Sequence, residues 1–292
     1  MALNSISDLN GPADEVAQWI QAARQLSVLY DAYCDREEKD DGRRLPGIHA
    51  SELSPCLRKV VYTLNGHPKR LRAKKFWRQR FKVGHALHGA IQKDFHDIAR
   101  LSRIEGAFAF AKGLAFERGW TVKFEDEVRL APGKQEISTR YNIHSAADGV
   151  FTFFAGDQPV LRVLLEIKTE SPQSYEKLRE PKPEHLEQVH LYMAALDIPL
   201  TWFFYFSKGT QNNTPSSFPF LLPFNPQIWA TVEQKCQDAL AHQAAGTLPD
   251  RVETIVCEFC PYAFACKPPT NRAERNPVDP AAVFRTLSRK MP

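Results

Sequence analysis

Apolar residues recur at helical spacing along DEVAQWIQAARQLSVLYDAYC, residues 14–34, and the pattern stops in the charged run DREEKDDGRR, 35–44. The spacing predicts an N-terminal helical extension and then a linker. Ser54 and Pro55 are placed to start a short helix carrying Cys56. Residues 76–101, FWRQRFKVGHALHGAIQKDFHDIARL, form the longest helical candidate, with Gly84 and His88 one turn apart. The period then changes from helical to alternating. TVKFEDEVRL from 121, NIHSAADGVFTFF (142–154) and VLRVLLEIKT read as strands, the last two joined by the turn AGDQP and so predicted to pair as an antiparallel hairpin. PEHLEQVHLYMAAL, 183–196, returns to helical spacing, LTWFFYFSK, 200–208, is an aromatic strand, and Ile228 to Gln243 fits a further helix.

One strand breaks its own pattern. Val163, Leu164 and Leu165 suit a strand interior, yet Glu166 and Lys168 follow on one face with only Ile167 between them. Buried charge is costly unless it is paired or holds a metal. The hairpin brings Asp148 near Glu166 and Lys168, so two carboxylates and an ammonium would share one cleft. Oxygen-rich anionic ligands suit Mg²⁺ or Mn²⁺, and a neighbouring lysine can orient the attacking water. These residue types fit metal-assisted phosphodiester hydrolysis. Gln188 and Tyr192, four apart on the next helix, can aim polar groups at the same cleft, and His88 can complete a metal shell.

Composition adds less than distribution does. The 292 residues carry 38 Lys and Arg against 34 Asp and Glu, a net charge of +4. No acidic residue lies between Glu52 and Asp94, an interval that holds Arg58, Arg78 and Arg80 among other cations, interleaved with Phe76, Trp77 and Phe81. Such clustering suits a phosphate-binding face. MALNSISDLNGPADE has no secretory pattern and no apolar run approaches a membrane span, so a cytosolic, reducing compartment is expected and no membrane partner. Six cysteines there are read as inert, catalytic or metal-bound. CEFCPYAFAC supplies Cys257, Cys260 and Cys266, and Cys56 is an available fourth; four thiolates can bind zinc or an iron-sulfur cluster. Cys34 and Cys236 have no partner at ligand spacing. His185 and His190, five apart, do not share a helix face, and no GxxxxGK[ST] motif is present.

The ordered set Cys56, Gly84 with His88, Asp148, Glu166-Ile167-Lys168, Gln188 with Tyr192, and Cys257, Cys260, Cys266 resembles the RecB-like branch of the PD-(D/E)XK nuclease superfamily. Within it the pattern is similar to the iron-sulfur exonucleases, namely the CRISPR-associated RecB-like exonucleases and the nuclease domain of AddB. The resemblance covers about residues 49–267. It implies an α/β fold, a restriction-endonuclease-like central mixed sheet flanked by helices, stapled by a [4Fe-4S] cluster on the four cysteines. It implies metal ligation by His88, Asp148 and Glu166, with the Ile167 carbonyl as a further candidate, and Lys168 as catalytic lysine. Gln188 and Tyr192 match a motif associated with holding the DNA strand.

The N-terminal 48 residues and the insert between His88 and Asp148 exceed the compact CRISPR-associated form. The division expected is a helical extension and linker over 1–48, a nuclease domain over 49–267, and a proline-rich tail over 268–292. The expected activity is a divalent-metal DNA exonuclease acting on single-stranded or frayed ends in recombination, repair, phage replication or CRISPR-type defence. The basic interval, with Arg58, Trp77, Arg78 and Arg80, would track the phosphates and stack bases. A helicase, recombination or CRISPR-adaptation protein would be a partner, in a bacterial, archaeal or phage-infected cell. The rival expectation is a non-catalytic DNA-binding scaffold subunit, and zinc is the alternative occupant of the thiols.

Overall fold

Alternating strands and amphipathic helices demand a layered arrangement in which the sheet buries both faces under helices. The computed structural model describes residues 45–53, 56–69, 75–100, 121–209, 217–253, 257 and 260–266. The chain divides after Leu45, and nearly all the described residues belong to the unit that begins at Pro46. The predicted extension over 14–34, its linker and the tail after Cys266 lie outside the described residues.

In chain order a 3-10 turn (Ala50–Glu52) leads to α1 (Leu57–Leu64) and α2 (Lys75–Arg100), then β1 (Thr121–Leu130), α3 (Glu136–Arg140), β2 (Ser145–Ala155) and β3 (Gln158–Glu170). There follow α4 (Pro172–Glu176), α5 (Pro183–Leu196), β4 (Leu200–Ser207), β5 (Ser217–Pro223), α6 (Pro226–Ala245) and α7 (Ala263–Cys266). The five strands form one mixed sheet in the order β1-β2-β3-β4-β5. Among the described strands, only β3 and β4 pair in parallel. That parallel pair requires a crossover, supplied by α4 and α5, whereas β2 and β3 are joined by the tight turn predicted at AGDQP.

Alternation along the strands sorts the core into two layers. Val163, Leu165 and Ile167 of β3 pack with Phe124, Phe151, Trp202 and the α2 residues Ile91 and Phe95. Leu164 faces the other way, into a cluster with Val60 and Val61 of α1, Val189 and Leu191 of α5, and Val232 of α6. A strand buried on both faces leaves no face for water, which is why Glu166 on β3 is only 1% exposed. The expectation that such a residue needs a partner is met by the site described next.

Helix limits follow local chemistry. Pro226 opens α6 after Asn225, whose side chain accepts from Gln227 N, and Gly246 closes it at φ 64°. Cys56 stands just before α1 as its cap residue and not inside a helix as expected from Ser54-Pro55. β5, SFPFLLP, was not among the predicted strands; it lies at the sheet's edge, where its prolines are tolerated.

Candidate active site and cysteine cleft

The antiparallel ladder of β2 and β3 ends at Gly149 opposite Leu165, while β3 continues through Glu170 alongside β4. The sheet therefore forks, and the side chains singled out by sequence stand at that fork. Asp148 turns its carboxylate into it: Oδ2 accepts from the main-chain N–H of Ile167 at 2.7 Å, and Oδ1 lies 3.5 Å from His88 Nδ1 on α2. Gly149, the next residue, has no room for a side chain, since a Cβ there would stand 2.3 Å from Phe124. Gly84, one turn before His88, faces the end of β3, where a Cβ would meet Thr169 Oγ1 at 3.5 Å, an ordinary van der Waals distance.

Glu166 is held by one oxygen. Its Oε1 lies 2.6 Å from Lys168 Nζ and accepts from Gln188 Nε2 at 2.8 Å, while Oε2 is buried with no hydrogen-bond partner. Lys168 Nζ also donates to Gln188 Oε1 at 2.9 Å, and Gln188 Nε2 donates to Tyr192 OH at 3.2 Å. One glutamine amide thus links carboxylate, ammonium and phenol. Burial raises the Glu166 carboxyl; Lys168 opposes this and Asp148 adds to it, leaving it at about 7. Burial and the charge of Glu166 likewise push the Tyr192 phenol up, so it stays protonated at neutral pH.

The structure brings together His88, Asp148, Glu166, Ile167, Lys168, Gln188 and Tyr192 as expected from their types. As the side chains stand, no three His, Cys, Asp or Glu among the described residues form a group that could hold a metal ion. At the fork the reason is visible: Lys168 and the Ile167 N–H already occupy Glu166 Oε1 and Asp148 Oδ2.

A residue that sequence reasoning passed over, and a polar pair it did not place there, flank the fork. Gln92, one turn beyond His88 and 7% exposed, donates from Nε2 to the main-chain oxygen of Asp148 at 2.8 Å. Its spacing of four from His88 was the available signal. His185 and Tyr205 form a second polar pair, Nδ1 to OH at 2.7 Å. Burial, with the cations Lys168 and Lys182 nearby, lowers His185 to about 3, so it is neutral. His190 is engaged elsewhere, through Leu186 O and Asn225 N, so the two histidines do not converge.

A second cleft, about 390 Å³ including the solvent at its mouth, is lined by Cys56, Cys257, Cys260 and Cys266 together with Arg58, Lys59 and Arg251. Arg58, grouped by sequence with the phosphate-tracking cations, lies here instead, with Nη1 donating to Pro249 O at 2.9 Å. Below the thiols, Tyr262 is buried, stacks on Tyr62 and meets Thr63 Oγ1 at 3.0 Å. Thr63 donates in turn to buried Glu52, which also pairs with Lys69 and Lys59. Cys236 is buried apart from this group, and burial pushes its thiol up to about 12. Trp77, Arg78 and Arg80 lie in the first turns of α2, and their side chains are outside the described residues.

No family model and no curated protein sequence matches the chain. Among solved structures it is similar to an alkaline exonuclease (LHK-Exo) from Laribacter hongkongensis, at TM-score 0.45 and 14% identity, covering 70% of this chain and 90% of that one. It is also similar to SSO0001, at TM-score 0.44 and 13% identity, covering 82% and 96%. LHK-Exo in complex with dAMP gives TM-score 0.41 and 17% identity over 70% and 90%. Likeness at this level carries no residue roles, and the functional reading rests on the site. No helix among the described residues is long and apolar enough to cross a membrane.

Proposed function

We propose that the chain is a divalent-metal-dependent deoxyribonuclease, an exonuclease acting on single-stranded or frayed DNA ends. The observation that carries this reading is Glu166 Oε2, a buried acceptor with no protein partner, at a fork that also holds Asp148, His88 and Lys168. A buried carboxylate oxygen left without a donor is what a cation would satisfy, and two carboxylates with an imidazole are a hard, oxygen-rich set suited to Mg²⁺ or Mn²⁺. Asp148, Glu166 and His88 would hold the ion, with the Ile167 carbonyl as a further ligand. When bound, it would supply Lewis-acid polarisation of the phosphodiester and a more acidic water.

The chain's own residues do the rest. Lys168, 2.6 Å from Glu166 Oε1, places its ammonium at the mouth of the fork, where it would offset charge developing on the phosphate oxygens. Gln188 keeps Lys168 beside the carboxylate through its own carbonyl, while its amide group reaches Tyr192. Tyr192, kept as a phenol, has a proton to donate to a strand lying over the fork. Trp77, Arg78 and Arg80 are proposed to follow that strand. DNA is the substrate; a helicase, recombination or CRISPR-adaptation protein is the partner class this activity would serve.

The cysteine cleft is proposed to hold a [4Fe-4S] cluster, with zinc as the alternative. Four thiols from both ends of the described unit line it, and Arg58, Lys59 and Arg251 would offset the thiolate charge. Iron and zinc analysis of protein purified without oxygen decides: a brown protein with iron supports the cluster, and a colourless one with stoichiometric zinc replaces it.

The activity is tested by a cleavage time course on end-labelled single-stranded and duplex DNA with Mn²⁺, Mg²⁺ or EDTA. Metal-dependent loss of label, absent in Lys168→Ala, is expected. Binding without cleavage, equal in both proteins, would favour a scaffold.

A further inference from the structure

α2 carries His88, Gln92 and His96 at successive intervals of four, and each reaches a different group on the first two strands. His88 Nδ1 stands 3.5 Å from Asp148 Oδ1, Gln92 Nε2 is 2.8 Å from Asp148 O and 3.3 Å from Glu127 Oε1, and His96 Nε2 is 3.4 Å from Asp126 Oδ1. Gln92 is the buried one, at 7% exposure, and it belongs to none of the motifs that define the fork.

The strand register explains why a glutamine is needed there. β1 and β2 pair Asp126 with Gly149 and Val128 with Ala147 without any slip, yet the position between, Glu127 opposite Asp148, drops out of the ladder. Glu127 has φ 48°, the left-handed region that a glutamate seldom occupies, so its peptide is turned away from the regular pairing. The Asp148 carbonyl is the point at which β2 carries a functional carboxylate, and it takes its donor from Gln92. An amide is the fitting group, since its two N–H bonds can serve a carbonyl and a carboxylate at once; a glutamate could donate to neither.

We propose that Gln92 is a positioning residue for Asp148 and that Glu127 orients its amide. Asp148 is then held by hydrogen bonds at two atoms, Oδ2 by Ile167 N–H and the main-chain oxygen by Gln92, with His88 Nδ1 standing 3.5 Å from Oδ1. The proposal rests on the reading of Asp148 as a metal ligand, and it extends that reading outward by one layer of residues. Outer partners of this kind tune metal affinity through orientation, without touching substrate.

Calorimetric titration of the full chain with Mn²⁺, alongside cleavage kinetics, tests it. Gln92→Leu is expected to weaken Mn²⁺ binding about tenfold, to raise the Mn²⁺ needed for half-maximal cleavage in parallel, and to leave KM for DNA at saturating metal unchanged. Gln92→Glu should not rescue, while Glu127→Gln, which keeps an oxygen acceptor, should bind Mn²⁺ as the parent does. Unaltered Mn²⁺ affinity in folded Gln92→Leu overturns the proposal. Should that variant fail to fold, Glu127→Ala carries the test: weakened Mn²⁺ binding supports the proposal and parental binding overturns it. A parent chain that neither binds Mn²⁺ nor cuts DNA removes the nuclease reading itself. That result is distinct from an active parent matched by an equally active Gln92→Leu.

Discussion

Two glutamates, Glu52 and Glu166, are buried at 4% and 1% exposure, and they differ in how their oxygens are satisfied. Glu52 sits beneath the cysteine cleft with both oxygens engaged, Oε2 by Thr63 and Oε1 by Lys69 and Lys59. Burial pushes its carboxyl up, but the two ammonium groups and the Thr63 hydroxyl outweigh that and leave it below the usual value. Glu166 has one lysine, a second carboxylate for a neighbour and an oxygen with no partner. A carboxylate kept for structure is saturated with donors. Glu166 is left incomplete, with a buried acceptor oxygen that no donor satisfies, at a cost in stability.

The largest effect that could break this contrast is on cleavage. Glu166→Gln is expected to lower the rate about 100- to 1000-fold with the fold retained, whereas Glu52→Gln retains cleavage; equal losses in end-label assays would erase the distinction. Next comes pH, with opposite signs. In EDTA, Glu166 has a folded value of about 7 against an ordinary 4.5, so its contribution is complete below pH 4.5 and is lost as pH rises through 7. That loss is on the order of 3 kcal/mol. Glu52, depressed below 4.5, contributes fully above that pH and loses its contribution as pH falls through the folded value. Urea melts of the parent, Glu166→Gln and Glu52→Gln at pH 3, 5 and 8 read both slopes; a parent and Glu166→Gln that track each other from pH 5 to 8 would refute the assignment.

Smaller still, Glu52→Ala should cost about 2–3 kcal/mol, with Lys59 and Lys69 able to turn to solvent. A chain as stable as the parent in urea would show that the Thr63–Tyr262 contact alone supports the cleft floor. The smallest change expected is from Gly149→Ala, at about 1–2 kcal/mol, because Phe124 must move from the new Cβ. Its melting temperature should fall and its cleavage slow, since Asp148 is the adjoining residue; an unshifted melt would mean that β1 gives way freely.

How much of this could be read from the chain depended on the range of the interaction. α5 matches PEHLEQVHLYMAAL end to end, and β1 matches TVKFEDEVRL, because each carries a full period of alternation or helical spacing. The β2–β3 hairpin followed from a turn between two strong apolar runs. β5 was missed because Pro219 and Pro223 argue against a strand unless its edge position is known. The fork residues were legible as types; their hydrogen bonds were not, since the ending of the β2–β3 ladder at Gly149 is a property of two strands together. Glu52 and Gln92 gave still less away. Their partners lie on other elements, and the spacing of Gln92 from His88 placed it on that helix face without saying that it is buried.

The cleft that joins Cys56 to Cys257 also sets a timetable, because the two are 201 positions apart in the chain. At ordinary synthesis speeds of about 5–20 residues per second, the first thiol emerges about 10–40 s before the second. α1 must wait that long with one wall of its pocket unbuilt, while β1 to β4 and α5 have already left the ribosome. The sheet and its fork are therefore in a position to assemble first, and the thiol pocket can close only after Cys257, Cys260 and Cys266 have emerged.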